Sequence, residues 1–205
     1  MSIFNIFSFF NRKEDLVLPK AYYPKDKRAL KLSYPMDDRE TWFRDTYAIW
    51  ASDNFIDFHC IAGVYYDKKC AKVMQDVLSS DWGINNKADC FSMVEALKNK
   101  GNAPSKEQLS WNLCRATQIL AMGYVSRFFN RDTLNAESAK VGRIMQDEFN
   151  SWEDLLTNYI NGFANWATKV YDEDAEEAIS ARCDAYTNII NHQDPPYMID
   201  WNIKL

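Results

Sequence analysis

The chain has 205 residues, 47% of them hydrophobic and 15% aromatic, enough apolar material to close one substantial core. With 29 Asp and Glu against 24 Lys and Arg, the net charge is −5. That balance excludes general nucleic-acid binding, which needs a basic surface to neutralise phosphates, and six glycines and six prolines are few for the turns of a sheet protein.

In chain order, residues 2–12 place Ile3, Ile6, Phe7 and Phe10 on one face of a short amphipathic helix. This segment is expected to pack on its own domain or to make a peripheral membrane contact. Arg12 and Lys13 follow the apolar block instead of preceding it, so it is not read as a secretory signal. No run of about eighteen apolar residues exists, so no transmembrane span is expected. Residues 14–36 hold Pro19, Pro24 and Pro35 and read as an extended arm, dividing the chain into an arm (1–36) and a helical domain (37–205).

The body opens with a helix over 38–52, where Phe43, Tyr47 and Trp50 recur at helical spacing. Residues 55–66 are ambiguous between helix and strand because they are aromatic and β-branched. A stripe of Cys70, Val73, Met74, Val77 and Leu78 marks a helix over 67–84, ended by Gly83. The next, 85–101, starts on an Asn cap and closes on Gly101. Ser105 and Gln108 have capping-box spacing and start a helix whose stretch 109–124 is apolar almost all round. Val141, Ile144, Met145 and Phe149 define 135–150. Leu155, Tyr159, Phe163, Trp166 and Val170 define 151–171, with Ser151 as its cap. Gly162 in the middle of that helix costs about 1 kcal/mol against Ala, which points to a close helix–helix approach. A last helix covers about 174–192, and the Pro-interrupted 193–205 reads as an extended strap. The sum is an all-α single domain of six to eight helices, a bundle or an orthogonal array.

Arg115 stands out, because a permanently charged group on an apolar helix needs a partner. Glu153 is the preferred one, with Glu95 and Asp154 as alternatives. The ion pair then fixes how two helices meet. The other reading of Arg115, Trp111 and Glu153 is a cleft in which the guanidinium is a fork for carboxylate or phosphate. His59 and His192, the only histidines, lack a nucleophile placed beside them, and no residue is assigned a catalytic role. Cys60, Cys70, Cys90, Cys114 and Cys183 form no C-x-x-C pair and read as free thiols in a reducing, cytoplasmic setting. No zinc, calcium, phosphate-loop or dinucleotide motif is present, so neither metal nor cofactor is expected. The acids Asp172, Glu173, Asp174, Glu176 and Glu177, with Asp184, form the main charge run.

Four segments in order carry a resemblance: Trp82-Gly83-Ile84, Trp111-Asn112-Leu113-Cys114-Arg115, Phe149-x-Ser151-Trp152-Glu153 and Tyr159-x-x-Gly162-x-x-x-Trp166. Asp194-Pro195 and Trp201 follow in the tail. Together they resemble the YbeU/YbeR-like family of bacterial domains of unknown function (domain of unknown function 1266), over roughly 40–205. The resemblance implies a helical cytosolic domain and no established chemistry. The family usually has Ala-Trp-Asp where this chain has Ser110-Trp111-Asn112, so any acid–base or metal role of that Asp is lost here.

Two functions follow as expectations. The first is a non-enzymatic protein-interaction module, of the kind an immunity protein would be, neutralising a basic toxin domain through the acidic run. The second is an enzyme or small-ligand-binding domain with its cleft near Trp111, Arg115 and Glu153.

Overall fold

Nine α-helices carry the regular structure of residues 26–205, the part of the chain that the computed structural model describes, and no strand occurs among these residues. They are α1 (Lys27–Ser33), α2 (Asp38–Asp45), α3 (Ala48–Asp53), α4 (Lys68–Trp82), α5 (Lys87–Lys98), α6 (Lys106–Val125), α7 (Arg131–Glu148), α8 (Trp152–Val170) and α9 (Ala175–Ile190). The all-α reading stands. The amphipathic segment 2–12 lies outside the described residues.

The hub is α6. Sixteen of its twenty residues are buried, as a helix apolar on nearly every side requires, and α2, α4, α5, α7 and α8 all pack against it. The closest approach is to α8. A Cβ added to Gly162 would lie 2.2 Å from the Glu107 carbonyl oxygen and 2.8 Å from Trp111 Cβ, so the glycine that weakens α8 locally is what lets the two backbones meet. Helix α9 closes the far side, packing on α3 and α8.

Side-chain caps start the long helices: Asp67, Asn86, Ser105, Asn130 and Ser151 each accept a backbone N–H of the first turn, a bond worth about 0.5–2 kcal/mol. Helix α4 ends on Gly83 at φ 65°, with Gly83 N–H donating to Ser79 O and Ile84 N–H to Leu78 O, a left-handed ending that glycine permits.

Several boundaries differ from the sequence reading. The expected helix over 38–52 is two, because the Thr46 hydroxyl donates to Phe43 O at 2.6 Å and competes for the ladder where α2 stops. Residues 55–66 form neither long helix nor strand. A 3-10 turn at Ile61–Gly63 and the Asp57 carboxylate, which accepts from His59 N–H and Cys60 Sγ–H, hold the loop. Helix α5 ends at Lys98, and Gly101 falls in a separate 3-10 turn. Helix α7 starts four residues early because Asn130 caps it. In the segment read as an extended arm, the described part forms α1, and it is tied to the body: Tyr124 Oη donates to Leu32 O and Arg131 Nη2 to Tyr34 O. The split of 38–52 and the addition of α1 raise the count above eight.

The C-terminal strap runs over α2, α7 and α8. Its anchor is a triangle of indoles, Trp42, Trp152 and Trp201, with ring centroids 4.9–5.1 Å apart. Each indole N–H donates to a carbonyl: Trp42 to Trp201 O, Trp152 to Ile199 O, Trp201 to Phe149 O. Burying three indoles with every polar atom satisfied gives the strap both area and register. All five cysteines are free. Burial pushes the thiols of Cys60, Cys70, Cys90 and Cys114 upward, and Cys183 alone is partly exposed.

Candidate functional site

Arg115 sits at the middle of α6 with no ion pair among the described residues. Glu153, its expected partner, is exposed on the first turn of α8 and is in no ion pair among the described residues. Glu95 bonds Lys98 and Asp154 bonds Lys106. The correction has a simple geometric cause. The first turn of α8 lies near the first turn of α6, as the Lys106–Asp154 pair shows, so an acid at 153 is more than two helical turns from a residue at 115.

The guanidinium carbon lies 4.7 Å from the ring centroid of Trp82 and 5.1 Å from that of Trp111. These are cation–π contacts, which use ring faces and leave the N–H donors unspent. No N–H of Arg115 meets a protein acceptor among the described residues, and Nε is buried as well. Burial pulls the side-chain pKa down to about 10, with only slight relief from Tyr159.

The other interior guanidinium groups are served. Arg131 makes two hydrogen bonds to the Glu40 carboxylate, at 2.8 and 2.5 Å. Burial would raise that carboxyl, but the bonds from Arg131, Asn135 and Met36 N–H outweigh it and hold it below its ordinary value. Arg182 pairs with Asp53 at 2.9 Å, donates to Tyr159 Oη at 2.7 Å and lies over Phe163.

Arg115 and Arg182 face one cleft, with a free interior volume of about 40 Å³. Trp50 and Asp53 from α3, Val77, Asp81 and Trp82 from α4, Trp111, Gln118 and Met122 from α6, Phe163 and Trp166 from α8, and Tyr171 complete its walls. The indole N–H of Trp111 and Oδ2 of Asp81 are both buried without a partner among the described residues. Burial raises the Asp81 carboxyl, against the Ser80 hydrogen bond that lowers it.

The two histidines come together outside this cleft, with ring centroids 5.4 Å apart. His59 Nδ1 lies 3.4 Å from Arg44 Nη1 and 3.8 Å from Asp194 Oδ2, above an open groove of about 510 Å³. Burial, first, and the Arg44 charge hold His59 below its usual pKa, against the pull of Asp57. Asp172, Glu173, Asp174, Glu176, Glu177 and Asp184 are all exposed, and none is in an ion pair among the described residues. Among these residues no group of three or more His, Cys, Asp or Glu has the geometry to hold a metal ion. No described helix is long and apolar enough to cross a membrane.

Of the sequence candidates, Arg115 and Trp111 belong to the cleft and Glu153 does not. Sequence reasoning missed Asp53, Asp81 and Arg182. For Arg182 a signal existed, since it lies between Ile179 and Tyr186 on the inward stripe of α9.

The fold and this cleft define an all-α domain with a tryptophan-lined recess, holding two arginines, beside its central helix. Residues 104–201 match the model of a family described as "Protein of unknown function (DUF1266)". That span runs from the start of α6 to Trp201 and supplies Arg115, Trp111 and Arg182, while α3 and α4 lie outside it. Neither the curated proteins nor the solved structures give a match.

Proposed function

We propose that the chain is a small-ligand-binding domain whose site is the tryptophan-lined cleft around Arg115. The observation that carries this reading is the guanidinium itself. A half-buried cation without a carboxylate is a cost to the fold, and a chain that pairs Arg131 with Glu40 and Arg182 with Asp53 has the means to pair a third. A bound ligand would supply the missing acceptor, as polar groups converging in an apolar pocket do in binding sites generally. Thermal unfolding of Arg115→Met tests it. A recruiting role predicts an unchanged or higher midpoint with lost binding; a structural role predicts a lower midpoint.

A second reading is a cytosolic bacterial protein-interaction module, of the immunity type, that holds a basic partner on the exposed acids of residues 172–177 and Asp184. Its support is that these carboxylates are solvent-facing and unneutralised by the chain's own cations among the described residues. Complementary charge of this kind speeds association and is screened by salt. A pull-down across a salt titration tests it, and retention indifferent to salt counts against the acidic face.

A further inference from the structure

Resting on the ligand-binding reading, we infer that the cleft takes a small monocarboxylate, its head group on the N–H edge of Arg115 and a flat apolar body against the tryptophans. Four observations lead there.

The first is the direction of approach. Trp82 and Trp111 already pack on the guanidinium, so the polar avenue left is its edge, where pairs of N–H groups lie in one plane. A planar carboxylate matches that edge with two parallel bonds.

The second is the supply of donors. Trp111 Nε1–H, one turn earlier on the same helix, is buried with no acceptor among the described residues. Two donors on one face of α6 therefore wait for acceptor atoms.

The third is charge. Arg182 is paired with Asp53 and Arg115 has no ion pair among the described residues, so one carboxylate on a ligand can pair with it although Asp81 also lines the cleft. A second negative charge would find no further cation and would face Asp81, so a dianionic phosphate is a poorer match than a carboxylate.

The fourth is size and lining. A free volume of about 40 Å³ holds roughly three waters, which suits a carboxylate head and little else. Val77, Met122, Phe163 and Trp166 give the wall an apolar share beside its polar groups, and that share suits a ring lying at the mouth.

The test is a titration of the full chain, followed by intrinsic tryptophan fluorescence, with three probes sharing one ring: benzoate, its neutral isostere benzamide, and phenyl phosphate. Benzoate is expected to saturate and to bind about tenfold more tightly than benzamide, the margin of one charge-assisted pair. Arg115→Met should erase that preference. Arg115→Lys keeps the charge without the fork and should narrow it, and this variant carries the test if the Met variant does not fold. Benzamide binding as well as benzoate overturns the carboxylate assignment and leaves the cleft a ligand site. Phenyl phosphate binding more tightly than benzoate overturns it in favour of phosphate. No saturable change with any probe past millimolar concentration overturns both the assignment and the reading beneath it.

Discussion

Two groups of tryptophans sit on either side of the central helix and are finished differently. At the strap, Trp42, Trp152 and Trp201 pack as a triangle and each indole N–H has a carbonyl. At the cleft, Trp82 and Trp111 pack as closely, but on a cation with no ion pair among the described residues, and Trp111 Nε1–H has no acceptor among them either. The same residue type, buried at the strap and in part half-buried at the cleft, serves two ends. Satisfied polar atoms add to stability, and unsatisfied ones are a standing cost that only something outside the fold relieves.

The comparison breaks most directly at the strap. Trp201→Ala should cost about 3–5 kcal/mol in chemical denaturation, because it removes a buried indole and unpairs Phe149 O; a loss under about 1 kcal/mol would mean that the triangle contributes little. Gly162→Ala should cost about 1–3 kcal/mol by the same measurement, since the new methyl meets the Glu107 carbonyl of α6. On the cleft side the sign should reverse. Arg115→Met is expected to raise stability by about 1–3 kcal/mol, the range found when buried charges give way to well-packed apolar side chains. A fall of similar size would make the two regions alike.

The smallest effect concerns pH. His59 titrates below its ordinary 6.5 in the folded chain, so the unfolded chain binds its proton more readily. Its contribution to stability is therefore complete above pH 6.5 and is lost as pH falls through the folded value. Comparing the acid limb of the stability profile with that of His59→Gln checks this, and identical slopes would exclude the histidine as its source.

How far the sequence discloses each region follows from how local its signals are. The helix over Trp152–Val170 was readable from Ser151, the apolar stripe and Gly162 together, because cap, face and close contact are all written within one element. Arg115 was recognisable as anomalous for the same reason. Its surroundings were not, since Trp82 ends α4, Asp53 ends α3 and Arg182 lies on α9, and only the packing of α4 on α6 and of α9 on α3 and α8 brings them to one recess. The break at Thr46 went unseen because a hydroxyl bonding to Phe43 O leaves the apolar period intact. Glu153 misled by its composition: an acid at the start of a helix satisfies the dipole there and needs no cation deeper in the fold.

Cys183 has a practical consequence. It is the one partly exposed thiol of five, and it lies on α9 between buried Arg182, which helps to line the cleft, and exposed Asp184 on the acidic face. A single fluorophore attached there, with no engineered cysteine, would report on both surfaces at once. Quenching by small aromatic acids and a rise in anisotropy on adding a basic protein would be separable signals from one labelled sample.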